Sequence, residues 1–156
     1  MTYRIRGLEP QSFAPLFQLD DTELQSRGMT RMTVDSPTFP CRVSLRDCDV
    51  GDEVILLNHV SHAGNNPYRA SHAIFISKSA TEPADFADEV PPALGRRILS
   101  LRAFDADGMM IDAALAQPGE ADPAIRALLA NPAAAHIDAH NAIRGCFAAR
   151  IERTKG

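Results

Sequence analysis

Leu99-Ser-Leu-Arg-Ala-Phe-Asp-Ala-Asp-Gly-Met-Met-Ile-Asp-Ala-Ala-Leu115 carries a strand-turn-strand pattern. Leu99, Leu101 and Ala103 alternate and so share one face of a strand, as do Ile111, Ala113 and Leu115 on the next. Between them Ala106-Asp107-Gly108 reads as a three-residue hairpin loop, with Gly108 supplying the positive φ that such a loop requires. That loop sets Leu101 opposite Ala113. It also sets Arg102 opposite Asp112, a cross-strand ion pair on the outer face that accounts for Arg102. A two-residue Asp-Gly turn would place Ala103 against Asp112 and spoil the apolar face, so the longer loop is expected.

The flanking sequence repeats this antiparallel texture. Tyr3 to Gly7 alternates as a first strand, Thr30 to Val34 reads as a strand, and Val43 to Leu45 as a short one. Glu53 to Val60 is a branched, apolar run suited to a buried strand, and His72 to Ser77 follows it. Pro10 opens a short helix carrying Phe13, Leu16 and Phe17, and Asp20 or Asp21 caps a second that Gly28 stops. Ser61 to Asn66 reads as a polar loop, and Asn65-Asn66-Pro67 as turn chemistry. The acidic, proline-bearing Ser79 to Pro92 is a surface excursion or short helix. Asp122-Pro123 reads as a cap and helix-starting proline, with Ile125, Leu128 and Leu129 as the inner stripe. Residues 132–144 fit helix or strand. With no regular strand-helix alternation, the expectation is one α+β domain over residues 1–156: a mostly antiparallel sheet with a few short helices.

The composition excludes several classes. A net charge of −4 offers no footprint for nucleic acid. Its basic residues are nearly all arginine, which fits the alanine- and proline-rich texture of GC-rich coding. No apolar run reaches the length of a membrane span. Three cysteines without paired spacing suit a reducing compartment, and cytoplasm is expected. No phosphate loop, nucleophile elbow, Cys-x-x-Cys or His-Glu-x-x-His occurs.

Four separated motifs carry a resemblance: Tyr3-Arg-Ile-Arg-Gly-Leu, Phe39-Pro-Cys-Arg-Val-Ser-Leu-Arg-Asp, Pro67-Tyr-Arg-Ala-Ser and His140-Asn-Ala-Ile-Arg-Gly-Cys-Phe. In these the chain resembles the family called domain of unknown function 1203. The resemblance implies a small bacterial cytoplasmic protein with no activity to carry over. It also implies that the last segment runs extended into and out of the Gly145-Cys146 turn, which favours a strand at 136–140.

The candidate chemistry lies in two irregular segments. Cys41, between Pro40 and Arg42, and Cys146, after Gly145, are either thiols activated by a neighbouring arginine or small buried apolar residues. Cys48, flanked by Asp47 and Asp49, has the wrong surroundings for activation. His140 is the candidate proton donor or acceptor, so the catalytic candidates are Cys41, His140 and Cys146. Arg42, Tyr68, Arg69 and Asn141 sit in or beside loops and are the candidate contacts to a small anionic ligand. A Cys-His-Asn triad is disfavoured, because adjacent His140 and Asn141 on a strand point to opposite faces. His136 and His140 share a face, and with His59, His62 or His72 they could form a three-histidine site. Spacing alone gives no convergent ligand set, so no metal and no cofactor are expected. The alternative class is a non-catalytic interaction module that forms a homodimer.

Overall fold

The computed structural model describes residues 2–155, and every pairing between its strands is antiparallel. The elements are β1 (Tyr3–Arg6), two 3-10 turns (Pro10–Ser12, Ala14–Gln18), α1 (Asp21–Ser26), β2 (Thr30–Thr33), β3 (Glu53–His62), β4 (Ala70–Ser77) and β5 (Asp85–Ala87). There follow α2 (Pro92–Gly95), β6 (Leu99–Phe104), β7 (Met110–Ala116), α3 (Ala121–Leu129), β8 (His136–Asn141) and β9 (Phe147–Arg153). They form a six-stranded sheet of order β5-β1-β9-β8-β6-β7 and a three-stranded sheet of order β2-β3-β4. The α+β expectation therefore holds, in the form of two sheets rather than one.

Each sheet has its own apolar side. In the large sheet Ile5, Leu99, Leu101, Ala103, Ile137, Ala139, Ala149 and Ile151 pack with Ile125, Leu128 and Leu129 of α3. In the small one Ile55, Leu57, Ile74 and Ile76 pack with Phe13, Leu24, Val34, Cys41 and Val43. The other face of the large sheet carries Ser100, Arg102 and Phe104 of β6 in register with His140, Asp138 and His136 of β8. This polar face meets the far end of β3 and β4, where the paired residues change from Leu57 and Ile74 to His59 and His72. The seam between the two sheets positions the site.

The hairpin corrects the sequence reading in an instructive way. The loop is the expected one: Asp105 N–H donates to the Met109 carbonyl at 2.9 Å, enclosing Ala106-Asp107-Gly108, and Gly108 has φ 81°. The register is not. A bulge lets Phe104 pair with Met110 while Ala103 pairs with Asp112 and Arg102 with Ala113. One extra residue, Ile111, shifts everything beyond it and turns it to the opposite face. The apolar partners of Leu101 and Leu99 become Ala114 and Ala116, and Leu115 is left 63% exposed. Arg102 therefore has no ion pair with Asp112.

Four further readings change. The stretch Ser79 to Pro92, expected as a surface excursion or short helix, holds β5, which pairs with β1 at the edge of the large sheet. The strand expected at Val43 to Leu45 is a turn, with Leu45 at φ 55°. α3 begins at Ala121 with no side-chain cap, and Asp122 instead accepts the Tyr3 hydroxyl at 2.6 Å and pairs with Arg126. β3 runs to His62, past the expected loop start at Ser61, through a bulge between Val60 and His62. Residues 136–141 are strand, as the resemblance implied, and the Asp20 carboxylate caps α1 by accepting Glu23 N–H at 2.8 Å.

Gly7 marks where the chain passes closest to itself. A Cβ there would lie 1.8 Å from the Val43 carbonyl oxygen, and backbone on both sides is held by Gly7 N–H to Ala84 O and Leu8 N–H to Arg42 O. Because the obstacle is backbone rather than a mobile side chain, Gly7→Ala is expected to cost about 3 kcal/mol or more. Urea denaturation of the purified variant checks this.

Candidate functional site

All five histidines of the chain, His59, His62, His72, His136 and His140, project into the seam. Strand alternation puts His136, Asp138 and His140 on one face of β8, and it puts Arg150 of β9 beside Asp138. Phe104 stacks on His62 at 4.2 Å and on His136 at 5.4 Å between ring centroids. His72 meets His140 edge-on at 4.9 Å, and His59 lies 5.9 Å from Phe147.

Asp138 is the buried charge at the centre, 1% exposed. It accepts Arg150 Nε at 2.8 Å and Nη2 at 3.2 Å, and the same Nη2 donates to the Ser61 carbonyl at 2.8 Å. One guanidinium thus ties the large sheet to the small one. His62 Nε2 lies 2.9 Å from the Gly108 carbonyl oxygen, while its Nδ1 lies 3.8 Å from Asp138 Oδ2. His136 Nε2 lies 3.8 Å from Asp138 Oδ1, buried and without a hydrogen-bond partner among the described residues. A Cβ on Gly108 would lie 2.8 Å from Asn66 Nδ2 and 3.3 Å from His62 Nε2, so glycine lets the hairpin tip close over this histidine.

The segments singled out in the sequence do meet, through Arg42. Its guanidinium is 2% exposed and donates to the Phe147 carbonyl at 2.8 Å, the Pro40 carbonyl at 2.6 Å and Cys146 Sγ at 3.1 Å. No carboxylate pairs with it among the described residues, and burial pulls its pKa down. Asn141 Nδ2 also reaches Cys146 Sγ, at 3.5 Å. Cys41 faces elsewhere. Its Sγ accepts Ser77 N–H at 3.4 Å inside the small sheet's apolar cluster. A hydrogen bond from the Cys48 thiol favours the Cys41 thiolate, and that same bond, with burial, drives the Cys48 thiol far up. His140 Nδ1 is 3.0 Å from the Gly145 carbonyl, and burial pushes its pKa down to about 4. Tyr68 stands edge-on to Phe104 at 6.0 Å, its N–H held by Asn66 Oδ1, and Arg69 is exposed. Cys146, Arg42, Asn141 and His140 therefore form one neighbourhood around the Gly145-Cys146 turn. Cys41 and Arg69 lie apart from it, and Tyr68 belongs to the Phe104 end.

The sequence reading missed Asp138 and Arg150, and it gave Arg102 to an ion pair with Asp112 that the register does not allow. Arg102 pairs in register with Asp138 and Ala113, and among the described residues the one hydrogen bond of its side chain is to Ser100 Oγ at 3.3 Å. The alternation His136-x-Asp138-x-His140 was the available signal, since it puts a carboxylate between two imidazoles on one strand face. Arg150 had no local signal at all.

A family model described as protein of unknown function (DUF1203) matches residues 38–153. The chain belongs to the DUF1203 family. The family's matched span holds every seam residue, from His59 to Arg150, together with the Arg42 and Cys146 segments. No curated protein and no solved structure matches the chain.

Burial lowers the pKa of His59, His72, His136 and His140. Each is favoured neutral in the folded protein and takes up a proton more readily when unfolded. That stability is fully present above the unfolded value near 6.5 and is lost as pH falls toward the folded value, about 4 for His140. The thermal midpoint is expected to fall steadily between pH 7 and 4, and His140→Gln to flatten the slope. Arg42→Ala, which strands two buried carbonyls, is expected to cost about 3 kcal/mol by urea denaturation. Iodoacetamide should label Cys146 first, because Cys41 and Cys48 are fully buried.

Proposed function

We propose that this protein binds a small anionic metabolite at the open end of the seam. The observation that carries the reading is a cleft of about 690 Å³ walled by His59, His62, His136, Phe147 and Arg150. Its volume is that of a small-molecule site. Arg150 uses Nε and Nη2 on Asp138 and Ser61, and its Nη1 makes no hydrogen bond among the described residues. A half-buried guanidinium in that position suits a carboxylate or phosphate oxygen. The imidazoles of the cleft supply further polar contacts, with His59 and His136 favoured neutral by burial and, for His59, by the charges of Arg150 and Arg42. A step acting on the ligand would draw on Cys146, adjacent to Phe147 and the only cysteine not fully buried. Three free thiols fit the cytoplasm of a bacterium.

The homodimer reading is favoured by one feature. β7 is an edge strand, and Ile111 and Leu115 are exposed on it.

Thermal shift with phosphate, sulfate and small dicarboxylates separates the two. A ligand at 100 times its Kd stabilises by about 2.7 kcal/mol, and the midpoint is expected to rise with concentration. Arg150→Lys keeps the charge but loses the fork, so its affinity should fall about tenfold. If no anion moves the midpoint and light scattering gives a dimer that Leu115→Glu dissociates, the interaction module is the correct reading.

A further inference from the structure

We propose that His62, His136 and Asp138 form a binding site for a divalent first-row transition metal ion. Each offers one ligand atom, and the three atoms lie within 4.8 Å of one another. Two imidazole nitrogens and one carboxylate oxygen are a borderline donor set, suited to zinc, iron or cobalt rather than to magnesium or calcium.

The protonation pattern argues the same way. A carbonyl oxygen can only accept, so His62 Nε2 carries the proton it gives to Gly108. In the neutral ring Nδ1 then presents its lone pair toward Asp138 Oδ2 at 3.8 Å. An imidazole whose far nitrogen is fixed by a backbone carbonyl is how metal-binding histidines are oriented. His136 Nε2 is buried without a partner and faces the other carboxylate oxygen at 3.8 Å. His62 thus turns an electron pair, not a donor hydrogen, toward the carboxylate, and His136 with its proton on Nδ1 would add a third electron-pair donor beside it. An electropositive centre there relieves an arrangement that is otherwise costly for buried polar atoms.

The geometry is close to what an ion needs. With bonds of about 2.0–2.2 Å, two donors on one tetrahedral ion sit about 3.3 Å apart. The 3.8 Å separations run to different carboxylate oxygens and the three donor atoms span up to 4.8 Å, so closing on one ion takes side-chain movements of roughly an ångström. Arg150 occupies one lone pair of each carboxylate oxygen and leaves the others. His62 and His136 both line the cleft, so an ion held there keeps coordination positions open to it. This goes beyond the anion reading and is tested with metal alone.

The experiment uses full-length, untagged protein stripped with a chelator and dialysed against Zn(II) in buffer free of coordinating anions. One equivalent is expected to bind and to raise the thermal midpoint, with Mg(II) in excess failing to displace it. His62→Gln and His136→Gln should each weaken binding by about tenfold or more, while His72→Gln, in the neighbouring histidine pair, should not. Wild-type protein loaded with Co(II) should show ligand-field absorption without a thiolate charge-transfer band, which tests the site even where a variant fails to fold. Binding well below one equivalent, equal loss in His72→Gln, or a thiolate band would overturn the assignment.

Discussion

The fork from Arg150 to Asp138 is the constraint on which the two-sheet arrangement rests. A carboxylate 1% exposed cannot stay charged in a seam without a counter-charge and filled hydrogen bonds. Arg150 supplies both from the adjacent strand and spans to Ser61 on the other sheet. A pair of this kind contributes little net stability against apolar side chains of the same volume, because desolvating both charges offsets their attraction. Removing Arg150 is the costly change, since Asp138 stays buried and unpaired, whereas Arg150 is 37% exposed and reaches water without its partner. Its structural meaning is therefore positional: it fixes how the end of β3 lies over β8 and β9.

Bulges let the sheets meet this way. One lies between Val60 and His62, one between Ala103 and Phe104, and one between Ala139 and His140. Each adds a residue to one strand and re-aims the side chains beyond it. The first accompanies the inward placement of His62. The second carries Arg102 away from Asp112. The third sets Phe147 against His140, beside the turn that holds Cys146. Arg42 acts on the small sheet's side as Arg150 does on the large one, but it is satisfied by two carbonyls and a thiol instead of a carboxylate. Burying a guanidinium on such partners depends on its planar fork of donors, which lysine lacks.

The seam also explains why the histidines cluster. The strands of the small sheet are apolar where they cover their own core and must become polar where they cross the charged row Arg102, Asp138, Arg150. Imidazole fills that need because it packs like an aromatic ring and still offers a donor and an acceptor. Burial then holds most of these rings neutral at physiological pH.

The sequence by itself determined the antiparallel α+β class, the positions of most strands, the capped α1, and the three-residue loop closed by Gly108. These rest on interactions within a few residues: side-chain alternation, turn sterics and capping, which one segment expresses completely. It also singled out Arg42 and the Gly145-Cys146 turn, two distant segments that the structure brings into contact. It did not determine the register beyond Ile111, because a bulge leaves the alternation on either side intact and only pairing reveals the slip. Nor did it bring His62 to His136 and Asp138, or Arg150 to Ser61. Those partners lie 74 to 89 residues apart along the chain, and only the packing of one sheet on the other decides that they meet.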